Sequence, residues 1–280
     1  DDGSFAGTSA GIYVTSDELT DLCCSPDGTW IVASYATQPY LRAFRYNGND
    51  FSWTYQFSYS PSYYTLGMAF TPDSQNLFWP CYTRTTGNLY HFKINSPTNM
   101  YYYSYYSTYD TASALFIKFC NRNNGKFLIA TETGIRAGYF DGNAGFNWYG
   151  WYGLSWNAGY LEEWELGYGG NGDYGSYAHR GSSGDRNVII RRDGSGNLTK
   201  VSAPGADGYG TSTHHDVNGR WIAFGTKSGG AFTYRLEGSA WDELTLGDDY
   251  ARNFFKVYRR PGAWPPQIEV AGNFYQMIRS

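Results

Sequence analysis

The sequence is poor in charge: Asp, Glu, Lys and Arg make up 16% of its 280 residues, and the formal net charge is −4 at pH 7. Nucleic-acid affinity comes largely from clustered Lys and Arg neutralising backbone phosphates, so the scattered bases here exclude a nucleic-acid partner. Long apolar runs are also missing. The longest, Ala114 to Cys120, is interrupted by Lys118, whereas a bilayer-spanning helix needs roughly 20 apolar residues; a soluble chain with no membrane insertion is expected. Cysteine is scarce, and Cys23, Cys24, Cys81 and Cys120 show no CxxC spacing, which argues against zinc. Adjacent cysteines such as Cys23 and Cys24 rarely bridge each other, while a Cys81–Cys120 disulfide and buried free thiols both remain open. No GxSxG, Walker-type loop or HExxH motif occurs, so nucleophilic, phosphoryl-transfer and zinc-protease chemistries have no signature and no cofactor is implied. The chain begins at Asp1 with neither Met nor a basic-then-apolar leader, which fits a removed signal or a piece of a longer protein.

What is abundant points one way. Gly 35, Tyr 28, Phe 17 and Trp 10 describe aromatic strands punctuated by glycine turns, so the chain reads as all-β. An apolar strand, a tight turn and a second apolar strand recur six times, most clearly from Cys23 through Ser25, Pro26, Asp27, Gly28, Thr29 and Trp30 to Ala33. Taking Gly28, Gln75, Gly125, Gly172, Gly219 and Pro266 as equivalent turn positions gives steps of 47, 50, 47, 47 and 47 residues, a blade-length period. Hairpin turns follow at Asn47-Gly48-Asn49, Asn95-Ser96-Pro97, Asp141-Gly142-Asn143, Asp193-Gly194-Ser195 and Glu237-Gly238-Ser239, where Gly and Asn tolerate positive φ.

The sixth copy lacks such a turn before Ser280, but counting from Pro266 through Ser280 and on to Gly3 gives 17 residues, within the range of the others. The sequence therefore predicts a single six-bladed β-propeller of four-stranded antiparallel blades over 1–280. Its blades fall at about 19–62, 63–110, 111–155, 156–208, 209–250 and 251–280 plus 1–18, the last closed by the N-terminal strand.

The run Ser25-Pro26-Asp27-Gly28-Thr29-Trp30-Ile31-Val32-Ala33, followed by Pro39 to Gly48, resembles the WD40-like propeller repeats of phage structural proteins and bacterial surface proteins. A base three residues before the hairpin turn, at Arg45, Lys93, Arg191 and Arg235, also looks like that family. The resemblance implies a fold and an interaction role without fixed chemistry.

Candidate chemistry is sparse. His214, His215 and Asp216 are consecutive, and neighbours on a strand point to opposite faces, so they do not share a metal ion. His215 aligns with Cys24, Phe70 and Cys120, which favours packing over catalysis, and no catalytic or metal residue is assigned. Glu162, Glu163 and Glu165, and Asp248 with Asp249, read as solvated loops rather than a glycosidase pair.

The binding candidates are aromatic. Tyr101, Tyr102, Tyr103, Tyr105 and Tyr106 form a strand with tyrosine on both faces, and Trp148, Tyr149, Trp151 and Trp156 form a second cluster suited to stacking on sugar rings. Lectin propellers repeat such a pocket in every blade; here it appears once. Asn197-Leu198-Thr199 is an N-glycosylation sequon at a hairpin turn, so Asn197 is a candidate glycosylation site. These features give, as the sequence-based expectation, a non-enzymatic extracellular, cell-surface or virion propeller. It acts by self-assembly into filaments or by docking to another surface protein. A carbohydrate-binding, lectin-like propeller with glycans as partners is the alternative, and a glycan-cleaving enzyme the third reading.

Overall fold

The computed structural model describes residues 19–36, 38, 40–46, 51–57, 67–81, 88–96, 99–107, 114–120, 125–131, 134–142, 145–153, 165–170, 172–178, 187–202, 210–215, 221–226, 231–237, 240–245, 255–258, 267–270 and 273–276. The first sheet is β1 (Leu19–Cys24), β2 (Trp30–Tyr35), β3 (Leu41–Tyr46) and β4 (Phe51–Phe57). The second is β5 (Ala69–Phe70), β6 (Asn76–Cys81), β7 (Asn88–Ser96) and β8 (Asn99–Ser107). The third is β9 (Ala114–Phe119), β10 (Lys126–Thr131), β11 (Gly134–Phe140) and β12 (Phe146–Gly153). β13 (Glu165–Tyr168), β14 (Tyr174–Ala178), β15 (Asn187–Arg192) and β16 (Leu198–Ser202) form the fourth. The fifth is β17 (Gly210–His215), β18 (Trp221–Thr226), β19 (Ala231–Glu237) and β20 (Ala240–Thr245), and β21 (Phe255–Tyr258), β22 (Gln267–Val270) and β23 (Asn273–Gln276) complete the order.

Among the described residues these make five four-stranded antiparallel meanders and one three-stranded sheet. The first strands lie side by side, β1 against β5, then β9, β13, β17 and β21 in turn, while outer strands such as β4 and β8 also meet. Sheets that touch face to face and share a layer of first strands are the blades of a β-propeller.

The second strands of the first three blades are buried on both faces along most of their length, which is why they read as continuous apolar runs instead of alternating ones. In β6, Leu77 and Trp79 enter the core shared with the first blade, whereas Phe78 between them enters the core shared with the third. In β10, Phe127 and Ile129 face the second blade, and Leu128 and Ala130 face the fourth. Each fully buried aromatic or aliphatic side chain of this kind stabilises the fold by about 1.5–3 kcal/mol.

The turn after the first strand is built by side chains as well as backbone. Ser25 Oγ donates to Asp27 Oδ1 at 2.5 Å and accepts from Trp30 N at 2.9 Å, while Thr29 N donates to Asp27 Oδ1 at 2.9 Å. Thr71, Asp73, Gln75 and Asn76 repeat the arrangement one blade on. Gly28 (φ 72°) and Ser74 (φ 60°) occupy the left-handed position, and Ser74 Oγ accepts from Asp27 N of the preceding blade at 3.1 Å.

The same hydrogen bonds adjust the repeat register. Tyr46, Ile94, Phe140 and Arg192 close their third strands on the carbonyls of Thr29, Gln75, Gly125 and Asp173. Equivalence therefore runs through those four residues, one past Gly28 and Gly172. The steps through the four are 46, 50 and 48 residues, less even than the 47, 50 and 47 of the sequence reading, because Gly28 and Gly172 mark the turn and not the ladder.

Cys81 and Cys120 are buried thiols in two different inter-blade cores, and no disulfide joins them. Among the described residues no helix is long and apolar enough to cross a membrane. The N-terminal strand proposed to close the ring lies outside the described residues.

Candidate active site

Between the fourth and fifth blades the apolar packing gives way to a polar cluster. Tyr174, Ser176 and Ala178 share one face of β14, and period-two alternation turns that face toward β17. Thr213 and His215, also two residues apart, point back from β17. Ser176 Oγ lies 2.7 Å from His215 Nε2 and is hydrogen-bonded to Thr213 Oγ1. Ser176 and Thr213 are fully buried, and His215 is half-buried.

Space for the imidazole comes from Gly167, which pairs with Ser176 across the ladder. A Cβ at Gly167 would lie 2.6 Å from Ser176 Oγ and 2.7 Å from His215 Cδ2, so only glycine lets the ring cross β13 to reach the serine. The ladders place His215 opposite Ile222, the position held by Cys24 opposite Ile31, Phe70 opposite Leu77, Phe119 opposite Phe127 and Tyr168 opposite Gly175. Phe70, Phe119 and Tyr168 are buried in inter-blade cores. One blade thus replaces a packing residue by an imidazole with two hydroxyls around it, a local departure of the kind that marks functional sites. An imidazole in such a setting is a group that can take up and pass on a proton.

Other first-strand groups are committed elsewhere. Asp21 Oδ2 accepts from Met68 N at 2.5 Å, tying the first blade to the second, and Thr20 and Ser34 hydroxyls are 2.7 Å apart. Burial pushes the Cys23 thiol up to about 12, with Lys118 only partly opposing it, so this sulfur is no nucleophile. Among the described residues no three His, Cys, Asp or Glu side chains come together to hold a metal ion.

The aromatic candidates are placed on the outer strands. A bulge between His91 and Phe92 in the β7–β8 ladder breaks strict alternation. Tyr102 packs on Phe57 of the first blade and Tyr105 lies against Tyr90, while Tyr106 meets Phe146 of the third blade. Tyr103 lies under Lys93 Nζ at 3.8 Å, and Tyr101 donates to Asn95 Oδ1 at 3.2 Å. Tyr102, Tyr103 and Tyr105 remain exposed at their edges.

Trp148 packs against Phe127 and Phe146, with the Arg136 guanidinium 5.8 Å from its ring and 6.0 Å from that of Trp151. Tyr149 points the other way, onto Gly196 and Arg192 of the fourth blade. The structure therefore divides this cluster between two inter-blade faces. Trp156 lies outside the described residues. Asn197 is exposed in the β15–β16 turn, where its Nδ2 donates to Asp193 Oδ2 at 3.0 Å.

No family model and no curated protein matches the sequence. Solved structures do. A functionally unknown protein from Desulfotomaculum acetoxidans superposes with a TM-score of 0.64 at 14% identity, over 85% of this chain and 72% of that one. The periplasmic gluconolactonase of Pseudomonas aeruginosa gives 0.63 at 8%, over 88% and 77%. A Bacteroides fragilis protein named for 6-phosphogluconolactonase activity gives 0.60 at 12%, over 82% and 70%. At such identities the likeness establishes the fold.

These neighbours overturn the expectation of a non-enzymatic chain acting by filament assembly or protein docking. The architecture from which that role was read is shared with lactonases, so a propeller with an aromatic rim gives no argument against catalysis. None of the three is named as a phage or WD40-type surface protein. The sequence reading also assigned His215 to packing and passed over Ser176 and Gly167. The available signal was a Thr-x-His pair on a first strand whose counterparts in other blades are apolar.

Proposed function

We propose that this chain is a hydrolase acting on a carbohydrate-derived ester, a sugar lactone in the first instance, at the first-strand layer of the fourth and fifth blades. The observation that supports it above others is the Ser176–His215 pair, seated in space that Gly167 leaves open, at a position where the second, third and fourth blades pack aromatic rings. His215 acts as general base: it takes a proton from water as the water oxygen adds to the lactone carbonyl carbon. The ring C–O bond then breaks and the freed alkoxide takes the proton back from His215, giving the open hydroxy acid and the neutral imidazole. Ser176 and Thr213 orient the imidazole.

A glycan-cleaving enzyme is the second reading, and it needs two carboxylates flanking the bond. Asp21, the one carboxylate whose side chain is described on the first strands, is held by the Met68 N–H, which favours the ester. Sharing a fold with lactonases supports the same substrate class. The periplasmic placement of the Pseudomonas aeruginosa protein supports an extracellular or periplasmic setting. Glycans remain the partner class, with the exposed rings of Tyr149 and Trp151 as surfaces on which sugar could stack.

The finer fold belongs to this reading: six blades, the last completed by residues 1–18. The three-stranded β21–β23 sheet, short of one strand, supports it. The test is proton release in a pH-stat with a panel of sugar lactones and aryl glycosides, for wild type, His215→Ala and Ser176→Ala. Lactone turnover above the spontaneous rate that falls about 10²–10⁴-fold in His215→Ala is expected. Wild-type turnover in that variant, or turnover of glycosides alone, would count against the ester reading.

A further inference from the structure

Arg192 ends β15 in a place where preceding blades put Tyr46, Ile94 and Phe140, all defined by the same closing hydrogen bond. Blade four thus buries a guanidinium, 8% exposed, at a position that elsewhere holds a largely apolar side chain. Among the described residues no carboxylate pairs with it. Nη1 donates to the Tyr168 hydroxyl at 3.5 Å, the Tyr149 ring lies 5.3 Å from the guanidinium carbon, and Nε is buried with no hydrogen-bond partner.

Tyr168 supplies no counter-charge. Burial holds its phenol well above the ordinary value, with the Arg192 charge only partly opposing, and its O–H donates to Gly172 O at 2.7 Å. Asp173 is the nearby carboxylate, and it reaches Lys126 Nζ of the third blade at 4.0 Å. Gly172 brings this group together, since a Cβ there would stand 2.8 Å from the Tyr168 hydroxyl and 2.9 Å from Lys126 Cδ. Among the described residues Arg192 has no carboxylate at ion-pair distance, Asp173 being turned to Lys126, and a buried charge without a partner is strongly disfavoured.

We infer that the Arg192 site between the third and fourth blades binds a tetrahedral oxyanion, phosphate or a phosphate monoester. The planar guanidinium fork matches two oxygens of such a group, Lys126 adds a second positive charge at the same interface, and the neutral Tyr168 hydroxyl does not compete for it. This site is built from residues that the proposed hydrolytic chemistry does not use.

Isothermal titration with inorganic phosphate and, separately, with a hexose 6-phosphate tests it, in chloride buffers of constant ionic strength. Wild type should bind at least one of them. Tighter binding of the ester identifies a sugar phosphate as the source, and equal binding the free anion; both bear the site out. Arg192→Met should lose the binding and, because an uncompensated cation is removed, should melt no lower than wild type in phosphate-free buffer. Arg192→Lys, which keeps the charge but not the fork, should bind about tenfold more weakly and serves if the Met variant does not fold. No binding of either probe by wild type, or undiminished binding by the folded Arg192 variants, overturns the inference.

Discussion

Replacing Gly167 by alanine tests the proposed site with a single methyl group. The added Cβ would stand 2.6 Å from Ser176 Oγ and 2.7 Å from His215 Cδ2, both well inside contact distance, so the imidazole must leave its seat. Loss of the Ser176–His215 hydrogen bond costs about 1 kcal/mol, and crowding a packed interior adds about 1–3 kcal/mol. The smaller entropy of the unfolded alanine chain returns about 0.4–1 kcal/mol. The net loss of about 1–3.5 kcal/mol lowers the Tm by about 2–14 °C, at about 2–4 °C per kcal/mol for a chain of roughly this size. Activity should fall far more, because a displaced general base forfeits most of its roughly 10²–10⁴-fold contribution. Gly194→Ala is the control, since a Cβ there meets nothing within 4 Å, and it should leave both quantities unchanged. The assay is kcat/KM by pH-stat beside the melting curve of the same sample. A Gly167→Ala protein that melts lower yet hydrolyses lactone at the wild-type rate would refute the role given to His215.

Two further predictions concern the fold. In Gly138→Ala the Cβ would lie 2.1 Å from Phe127 Cζ, so urea denaturation should show a loss of about 1–3 kcal/mol, largely recovered by adding Phe127→Leu; a neutral single variant would contradict the packing described. Burial, reinforced by Lys93, lowers the His91 pKa from 6.5 to about 3, and the neutral ring is held between Asn76 Oδ1 at 2.8 Å and the Tyr106 hydroxyl at 3.3 Å. The unfolded chain takes up this proton first, so the stability that neutral His91 contributes is complete above about pH 6.5. It is lost progressively as pH falls toward about 3, at up to about 1.4 kcal/mol per pH unit. His91→Gln should flatten that part of the stability curve, and parallel curves for the two proteins would show that another group is responsible.

The candidate site was only partly legible in the sequence. Both halves of the Thr-x-His pair were visible on a predicted strand, and His215 was aligned with residues of other blades, but alignment along the chain says nothing about what stands across from it. Ser176 sits in a Tyr-Gly-Ser-Tyr run that reads as a weak strand, and its meaning depends on β17 of the next blade being packed against it. The tyrosine run shows the same limit: Tyr102 and Tyr105 serve one blade and Tyr103 and Tyr106 the other side because of a bulge at the β7–β8 ladder, which no two-residue alternation contains.

Sequence alone determined the elements and their punctuation, because these follow from interactions a few residues long. Ser25 and Asp27 cap the same turn as Thr71 and Asp73, Gly28 takes a positive φ, and apolar runs such as Phe127 to Ala130 must be buried on both faces. Tertiary structure alone decided which residues meet between blades: Trp79 in one core and Phe78 in the next, His215 over Gly167, and Arg192 beside Tyr168 and beneath Tyr149. Those meetings depend on how two sheets, each internally complete in its hydrogen bonds, are rotated and stacked. Nothing in the backbone pairing of either sheet specifies the other, so side-chain shape and charge at the interface decide it.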